Sequence, residues 1–488
     1  MEDDRLSPLK RFMRACAVAA GVCTCFASLA HTAKDSVAIQ NSIDQYNAGT
    51  MKFERFWNTY HDSAVYKIFL KQNGENHVRT TLDQAMEYIR ATHDYSGGMH
   101  QIVYLVGWQY DGHDSKYPSW GSVGGQCKSS FSQDPRESLR AMMREARKYN
   151  ADVSLHINMN DAYASSPLWK VYVDNDLICR GKNGNIIKGR VFGGEQSYPI
   201  SHLKEWRSGF AKKRIQELLE LLPELKDART IHIDALFGNE SPGDKITFKD
   251  DIAAIDECTK YWHEIGFDVT TEFLPAYDQI GYFPYFYHLN LDERHKVLYP
   301  PTLICGGTGY SLRSREDYYN KHWQNTMPNA GCIYEEAWGA AHWGDRMGQL
   351  VNKSAFINNM FHTMILYAYY NKSRPVEHRV DAENYTVRRA NGVVSNIRMK
   401  DRSLTVTDNG RTVVSNNDFF LDFPDSGGKV LAFSENGCDR VFKLPPSFAD
   451  ARELKGRRHP DGEDVVLAVK DGSVRLALAP ETSLVLRK

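Results

Sequence analysis

A chain of 488 residues with 42% hydrophobic and 25% charged residues carries enough apolar material for two or three folded domains. Its formal net charge of −1 supplies neither a basic face for nucleic acid nor an attraction to an anionic membrane. Aromatic residues make up 12%, more than a core ordinarily needs, and fit the use of rings as stacking platforms for sugars.

The N-terminus reads as a targeting segment. Lys10, Arg11 and Arg14 precede an apolar run over residues 15–29, and Ser28-Leu29-Ala30 supplies small residues for cleavage. The run is short for a membrane span, so a signal peptide is expected over residues 1–30 and the mature chain is expected to be exported. Six cysteines then remain, at 127, 179, 258, 305, 332 and 438. None is in C-x-x-C spacing, which argues against a zinc site; they fit scattered buried thiols or partial pairing after export.

Residues 64–70 are an apolar run that fits a first strand, and residues 80–92 carry helical spacing capped by Thr81 or Asp83. Residues 101–108 form a continuous apolar run ending in Trp108, as expected for a strand covered on both faces. This strand empties into a loop containing Asp111, His113 and Asp114. Asp134-Pro135 opens a helix that is predicted to run to about Lys148. The strand over residues 151–158 delivers His156 and Asn158 at a period of two, so they share one face, followed by Asn160 and Asp161. A long Gly- and Asn-rich loop is predicted from 172 to 202, then an amphipathic helix from 202 to 222.

Residues 230–234 read as a short buried strand ending at a Gly238-Asn239 turn, with Asp234 near its carboxyl end. After a helix over 249–264, residues 268–275 form a strand that carries Glu272 at a similar depth. Later elements are an aromatic cluster over 282–287, strands over 297–305 and 331–336, and an apolar helix over 349–370. Strands alternating with helices predict a (β/α)₈ barrel over residues 31–375. From 376 to 488 the pattern changes to short alternating strands and Gly turns, which predicts a β-sandwich.

Burying an unpaired carboxylate is costly, so Asp234 and Glu272 at strand ends point to chemistry. Two carboxylates on consecutive barrel strands can flank one glycosidic bond, and Asp234 and Glu272 are read as that pair. Glu335 and Glu336, beside Trp338, are rivals for the acid/base. His113, Asp114, His156, Asn158, Asn239, Trp108 and Trp338 are the candidate substrate contacts. No metal and no cofactor are expected; Asp111-His113-Asp114 is only a loose grouping. The expected partner is a carbohydrate, with no nucleic acid and no stable membrane span.

Four blocks carry a family resemblance: Gly112-His113-Asp114-Ser115, His156-Ile157-Asn158, Ile233-Asp234 with Gly238-Asn239 and Ser241-Pro242-Gly243-Asp244, and Thr271-Glu272. In order and approximate spacing they resemble the barrel of glycoside hydrolase family 101, the endo-α-N-acetylgalactosaminidases that release mucin-type O-glycans. The resemblance implies a retaining mechanism, with Asp234 matching the nucleophile, Glu272 the acid/base, and Asp114 an aspartate that holds the first sugar. Apolar Phe273 and the charge of Asp234 would then favour a protonated Glu272. The chain departs from the family in being smaller and in having no Trp between Cys179 and Ser201, where the family carries a tryptophan-rich lid. Release of a single α-GalNAc, as in the related family 129, or of α-galactose is the alternative, and a catalytically silent glycan-binding protein a further one.

Overall fold

The computed structural model describes residues 55–273, 279–288 and 300–306, then Ile357 and, with breaks at 399, 402, 417 and 424–427, residues 360–488, together with parts of 40–50. The expected signal peptide lies outside the described residues, as do the strand over 331–336 with Cys332, Glu335 and Glu336, and Trp338. The chain forms two compact units, residues 1–51 and 52–488. In the first, the described residues are helical or turn, with Gln40 donating to Asp44 at 2.8 Å. All that follows concerns the second.

Seven strands form one parallel sheet in the order β1 (Ala64–Phe69), β2 (Gln101–Val106), β3 (Ala151–Asn158), β7 (Thr230–Asp234), β8 (Asp268–Phe273), β9 (Tyr285–His288), β10 (Cys305–Gly306). Their pairings are parallel throughout. Strands β1, β2 and β7 are buried along their whole length; β1 and β2 accordingly run almost wholly apolar, whereas β7 alternates, with Thr230, His232 and Asp234 on one face and Ile231 and Ile233 on the other. The sheet is strongly curled. In a flat sheet β1 and β8 would lie about 19 Å apart, four strand spacings, yet Lys67 on β1 reaches Glu272 on β8 at 3.0 Å. This is a half-barrel; the eighth strand expected from the sequence and the closure it would make lie outside the described residues.

The covering helices start where the sequence provides caps. Helix α1 (Leu82–Ser96) has a capping box between Thr81 and Gln84 and stops at Gly97 in the left-handed region. Helix α2 (Pro135–Ala146) has Asp134 as N-cap and Pro135 in its first turn. Two expectations need correction. The long loop after β3 is largely structured: β4 (Asp161–Tyr163), β5 (Val191–Phe192) and β6 (Glu195–Pro199) form a small antiparallel sheet, with α3 (Trp169–Asp174) between β4 and β5. The single helix expected over 202–222 is two, α4 (His202–Arg207) and α5 (Phe210–Leu221), because Gly209 adopts φ +81° between them. Short α6 (Leu225–Ala228) and capped α7 (Phe248–Glu264) follow. Of the apolar helix expected over 349–370, the described part is a π-helical segment at Met360–Ile365 and α8 (Leu366–Tyr370).

The C-terminal strands are β11 (Pro375–Val380), β12 (Asn384–Arg389), β13 (Val393–Arg398), β14 (Leu404–Asp408), β15 (Arg411–Ser415), β16 (Asp418–Phe423), β17 (Lys429–Ser434), β18 (Cys438–Lys443), β19 (Glu453–His459), β20 (Asp464–Lys470), β21 (Ser473–Leu478) and β22 (Thr482–Arg487). They are antiparallel throughout. The sheet folds over so that β16, β17 and β22 face β18 and β21 across an apolar core, with Phe420 stacked on Phe442 at 5.0 Å. The C-terminal part is thus one large antiparallel sheet that encloses an apolar core between its layers. It joins the half-barrel through Phe361 stacked on Phe433 at 4.1 Å and Lys429 donating to the Gly97 carbonyl at 2.8 Å. The described cysteines 127, 179, 258, 305 and 438 are all free thiols. No described helix is long and apolar enough to cross a membrane.

Candidate active site

Alternation along parallel strands brings every second side chain to the inner face. Register then sets their depth: His156 pairs with His232, Asn158 with Asp234, and His232 with Thr270. Asp234 and Glu272 therefore both emerge at the carboxyl edge of the curled sheet. Their register sets the two carboxylates side by side on adjacent strands, and Glu272 bears on the ionisation of Asp234. Lys67, with no exposed side-chain surface, completes the pair by its 3.0 Å contact with Glu272.

Asp234 is buried, and three side chains converge on its Oδ2. Asn158 Nδ2 donates at 3.3 Å, His156 Nε2 lies at 3.4 Å and His113 Nε2 at 3.8 Å. Burial pushes its carboxyl above the usual carboxylate range. His113 opposes that shift, Asp114 reinforces it, and the contact with Glu272 and the charge of Lys67 pull it down again. Asn158 is a fixed positioning group. Its Nδ2 also donates to Asp161 at 3.0 Å, and its Oδ1 accepts from the backbone N–H of Asn160 and of Asp161, each at 2.8 Å. Burial, with Asp234 and Asp114 nearby, pushes Asp161 up to about 6.

Asp114 closes the ring from the loop after β2. Its Oδ2 accepts from Gln72 at 3.2 Å, its Oδ1 from the buried Tyr163 hydroxyl at 3.4 Å, and its backbone carbonyl from Asn73 at 3.0 Å. Asp114 holds φ +58°, and Ala235, directly after Asp234, holds φ +42°; for non-glycine residues this is strained backbone at the places where the carboxylates are aimed. Two glycines make the loop possible. A Cβ on Gly107 would come within 2.0 Å of the Lys71 carbonyl, and one on Gly112 within 2.6 Å of the same oxygen. Without that close approach Gln72 could not reach Asp114.

Below the carboxylates the lumen is polar. His113, His156 and His232 form a column, with ring centroids 5.0 Å and 5.2 Å apart. His232 Nδ1 bonds Thr270 at 2.8 Å. Deeper still, Thr230 is shared by the hydroxyls of Tyr60 and Tyr104 at 2.6 and 2.7 Å.

The structure thus brings together Asp234, Glu272, His113, Asp114, His156 and Asn158 from the expected set. Two others, Trp108 and Asn239, do not join them. Trp108 is fully buried and spends its indole N–H on the His156 carbonyl at 3.1 Å, so it supports β3 from beneath and offers no face to a sugar. Asn239 is a structural lock: its backbone N–H donates to Asp251 at 2.8 Å, and its amide to Asn160 at 2.7 Å and the Ile200 carbonyl at 2.9 Å. Trp338 lies outside the described residues. Sequence reasoning missed Lys67, Gln72 and Tyr163. Only Lys67 left a signal, as the single charge inside a strand with no solvent-facing side. Its ammonium sets a positive charge 3.0 Å from Glu272, which the sequence reading did not foresee.

A sequence model of the family described as endo-alpha-N-acetylgalactosaminidase matches residues 47–296, more than half of the chain. Among solved structures, the chain is similar to the α-N-acetylgalactosaminidase of Bifidobacterium bifidum. Against its ligand-free form the TM-score is 0.55 at 12% identity, covering 77% of this chain and 64% of that one. Against its complex with Gal-NHAc-DNJ the TM-score is 0.56 at 13% identity, covering 78% and 64%. Against its GalNAc complex it is 0.55 at 13% identity, with the same coverage of 78% and 64%. At such identity the likeness is one of fold, and this chain spans 64% of the length of those chains.

Proposed function

Since the chain belongs to the endo-α-N-acetylgalactosaminidase family of glycoside hydrolases, we propose that it cleaves α-linked N-acetylgalactosamine from O-glycans by double displacement. The observation that carries this reading is the placement of Asp234 and Glu272 side by side at the carboxyl ends of adjacent parallel strands. Inverting pairs stand about 6.5–9.5 Å apart to admit a water, whereas retaining pairs stand about 5–5.5 Å apart; neighbouring positions on adjacent strands favour the closer, retaining arrangement.

In this mechanism the sugar enters between the two groups. Asp234 attacks the anomeric carbon, and Glu272 gives its proton to the departing oxygen. Water then displaces Asp234 with Glu272 as base. Asn158 and His156 hold Asp234 Oδ2 in line for attack. Asp114, held on three sides, grips hydroxyls of the first sugar. Lys67 compensates for excess negative charge as the proton leaves Glu272.

The family match favours release of an intact disaccharide. The structural likeness to an α-N-acetylgalactosaminidase, with no Trp between Cys179 and Ser201, favours release of a single sugar. Export after signal-peptide cleavage fits an extracellular glycan substrate. Product analysis on aryl α-GalNAc, aryl α-galactoside, aryl Galβ1-3GalNAcα and desialylated mucin decides. Free GalNAc alone identifies the exo reading, intact disaccharide the endo reading, and no cleavage of any substrate contradicts the proposal.

A further inference from the structure

The three groups that meet at Asp234 Oδ2 have a second chemistry. One ring nitrogen each of His113 and His156 and a carboxylate oxygen of Asp234 all lie within 4.8 Å of one another, and the two Nε2 atoms stand 3.8 and 3.4 Å from Asp234 Oδ2. Tetrahedral zinc, with ligand bonds of about 2.0–2.1 Å, sets its ligands about 3.3 Å apart. The set is therefore close to the size of a zinc site, and side-chain adjustments of an ångström or less would complete it. We infer that this set captures one first-row divalent cation, Zn²⁺ being the natural ligand class, and that capture switches the site off.

Ligand type excludes the alkaline earths. Two imidazole nitrogens suit Zn²⁺, Cu²⁺ or Ni²⁺, whereas Ca²⁺ and Mg²⁺ require oxygen. Supporting groups are in place. The Tyr117 hydroxyl lies 3.5 Å from His113 Nδ1, on the side of the ring away from the cation. Asp114 Oδ2, 3.5 Å from His113 Nε2, adds negative charge at the same spot. Among the described residues around the site, Asp234, Asp114, Asp161 and Glu272 face the ammonium of Lys67, which favours a cation. The spacing is invisible in sequence because the ligands come from three different chain segments, after β2, on β3 and on β7. A second set, His156, His232 and Glu272, shares His156, so the two cannot fill together.

The cation is an inhibitor here, not a catalyst. An Asp234 oxygen committed to a metal has no lone pair aimed at an anomeric carbon, and the metal stands where the sugar must sit. This consequence rests on Asp234 being the nucleophile; binding itself does not, and the two are tested separately.

Chelator-treated enzyme is titrated with Co²⁺, read by its visible absorption, and with Zn²⁺, read by displacement of that absorption and by aryl α-GalNAc hydrolysis. One equivalent is expected to bind with the intense absorption of a four-coordinate site. His113→Gln and the isosteric Asp234→Asn should each weaken binding on the order of a hundredfold or more, and His232→Gln should leave it unchanged. Zn²⁺ should inhibit competitively and reversibly, with activity restored by chelator. Absence of a stoichiometric cobalt spectrum overturns the inference, as does an affinity that follows His232 in place of His113. Cobalt bound with the expected variant pattern but full hydrolysis would instead overturn the assignment of Asp234.

Discussion

Inside the curled parallel sheet stand Lys67, Ser154, His156, Thr230, His232, Thr270 and Glu272; between the folded layers of the C-terminal strands stand Phe420, Val430, Phe442, Leu454, Leu476 and Leu486. Both interiors are largely closed to water. The second is stabilised by area: each fully buried large apolar side chain contributes about 1.5–3 kcal/mol. The first gives up that contribution to hold charges and imidazoles at fixed distances, and it must then satisfy every polar atom it buries. The lesson is that the parallel-sheet interior is built at the expense of stability, and the apolar sheet packed against it through Phe361 and Phe433 offsets the loss.

The sharpest way to break this comparison is to neutralise Asp234. Asp234→Asn should lower kcat on the order of 10⁴-fold. Because burial holds this carboxyl above its usual range, its ionised form destabilises the fold at neutral pH, and the same variant should raise Tm. Thermal melts alongside kinetics check both; a lowered Tm with full activity would place Asp234 in the scaffold. Next in size is Glu272→Ala, expected to cost about 10²–10⁴-fold with poor leaving groups and far less with activated aryl glycosides. A uniform loss across leaving groups would move the acid/base role elsewhere, with Glu335 and Glu336 the first alternatives.

The opposite behaviour belongs to the apolar sheet. Phe420→Ala should destabilise by about 3–5 kcal/mol in denaturant melts while kcat per folded molecule stays unchanged. Asp268 extends the comparison to the amino-terminal edge of the half-barrel, where it accepts backbone N–H bonds from Trp57 and Asn58 at 3.0 and 2.9 Å. Burial pushes it up to about 6. The folded value exceeds the unfolded one, so the native state binds more protons between about pH 4 and 6. Wild type should accordingly lose stability relative to Asp268→Asn as pH rises through that window, by at most about 3 kcal/mol.

The smallest expected effect is that of Lys67. Its ammonium favours the charged form of Asp234, so Lys67→Met should raise the apparent pKa of the nucleophile and move the acid limb of the pH–rate profile upward by about one unit. A profile that only loses height would make Lys67 a packing residue.

Much of this was legible in the sequence because local rules agreed with the fold. Strands β2, β3 and β7 appear where continuous apolar or β-branched runs put them, and α2 and α7 begin at Asp134-Pro135 and Thr247 as capping chemistry dictates. His156, Asn158, Asp234 and Glu272 share an inner edge because a period of two in parallel strands requires it. What was not legible depends on chain segments far apart in sequence. Lys67 meets Glu272 across 205 residues, and Gln72 reaches Asp114 across 42. Trp108 and Asn239 stood at the right sequence positions for a site, but tertiary hydrogen bonds claimed them for support. The break between α4 and α5 was hidden because Ser208-Gly209 sits inside an otherwise helical apolar pattern, where only the positive φ of Gly209 ends the helix.

The central claim, that Asp234 and Glu272 act on opposite faces of an α-glycoside, is tested most directly by azide rescue. Asp234→Gly and Glu272→Ala are each given an activated aryl α-GalNAc with azide, and the product anomer is read by NMR. Azide filling the space of the Asp234 carboxylate should give the β-glycosyl azide, whereas azide replacing water on the glycosyl-enzyme of Glu272→Ala should give the α-glycosyl azide. The same anomer from both variants, or rescue of neither, would contradict the assignment.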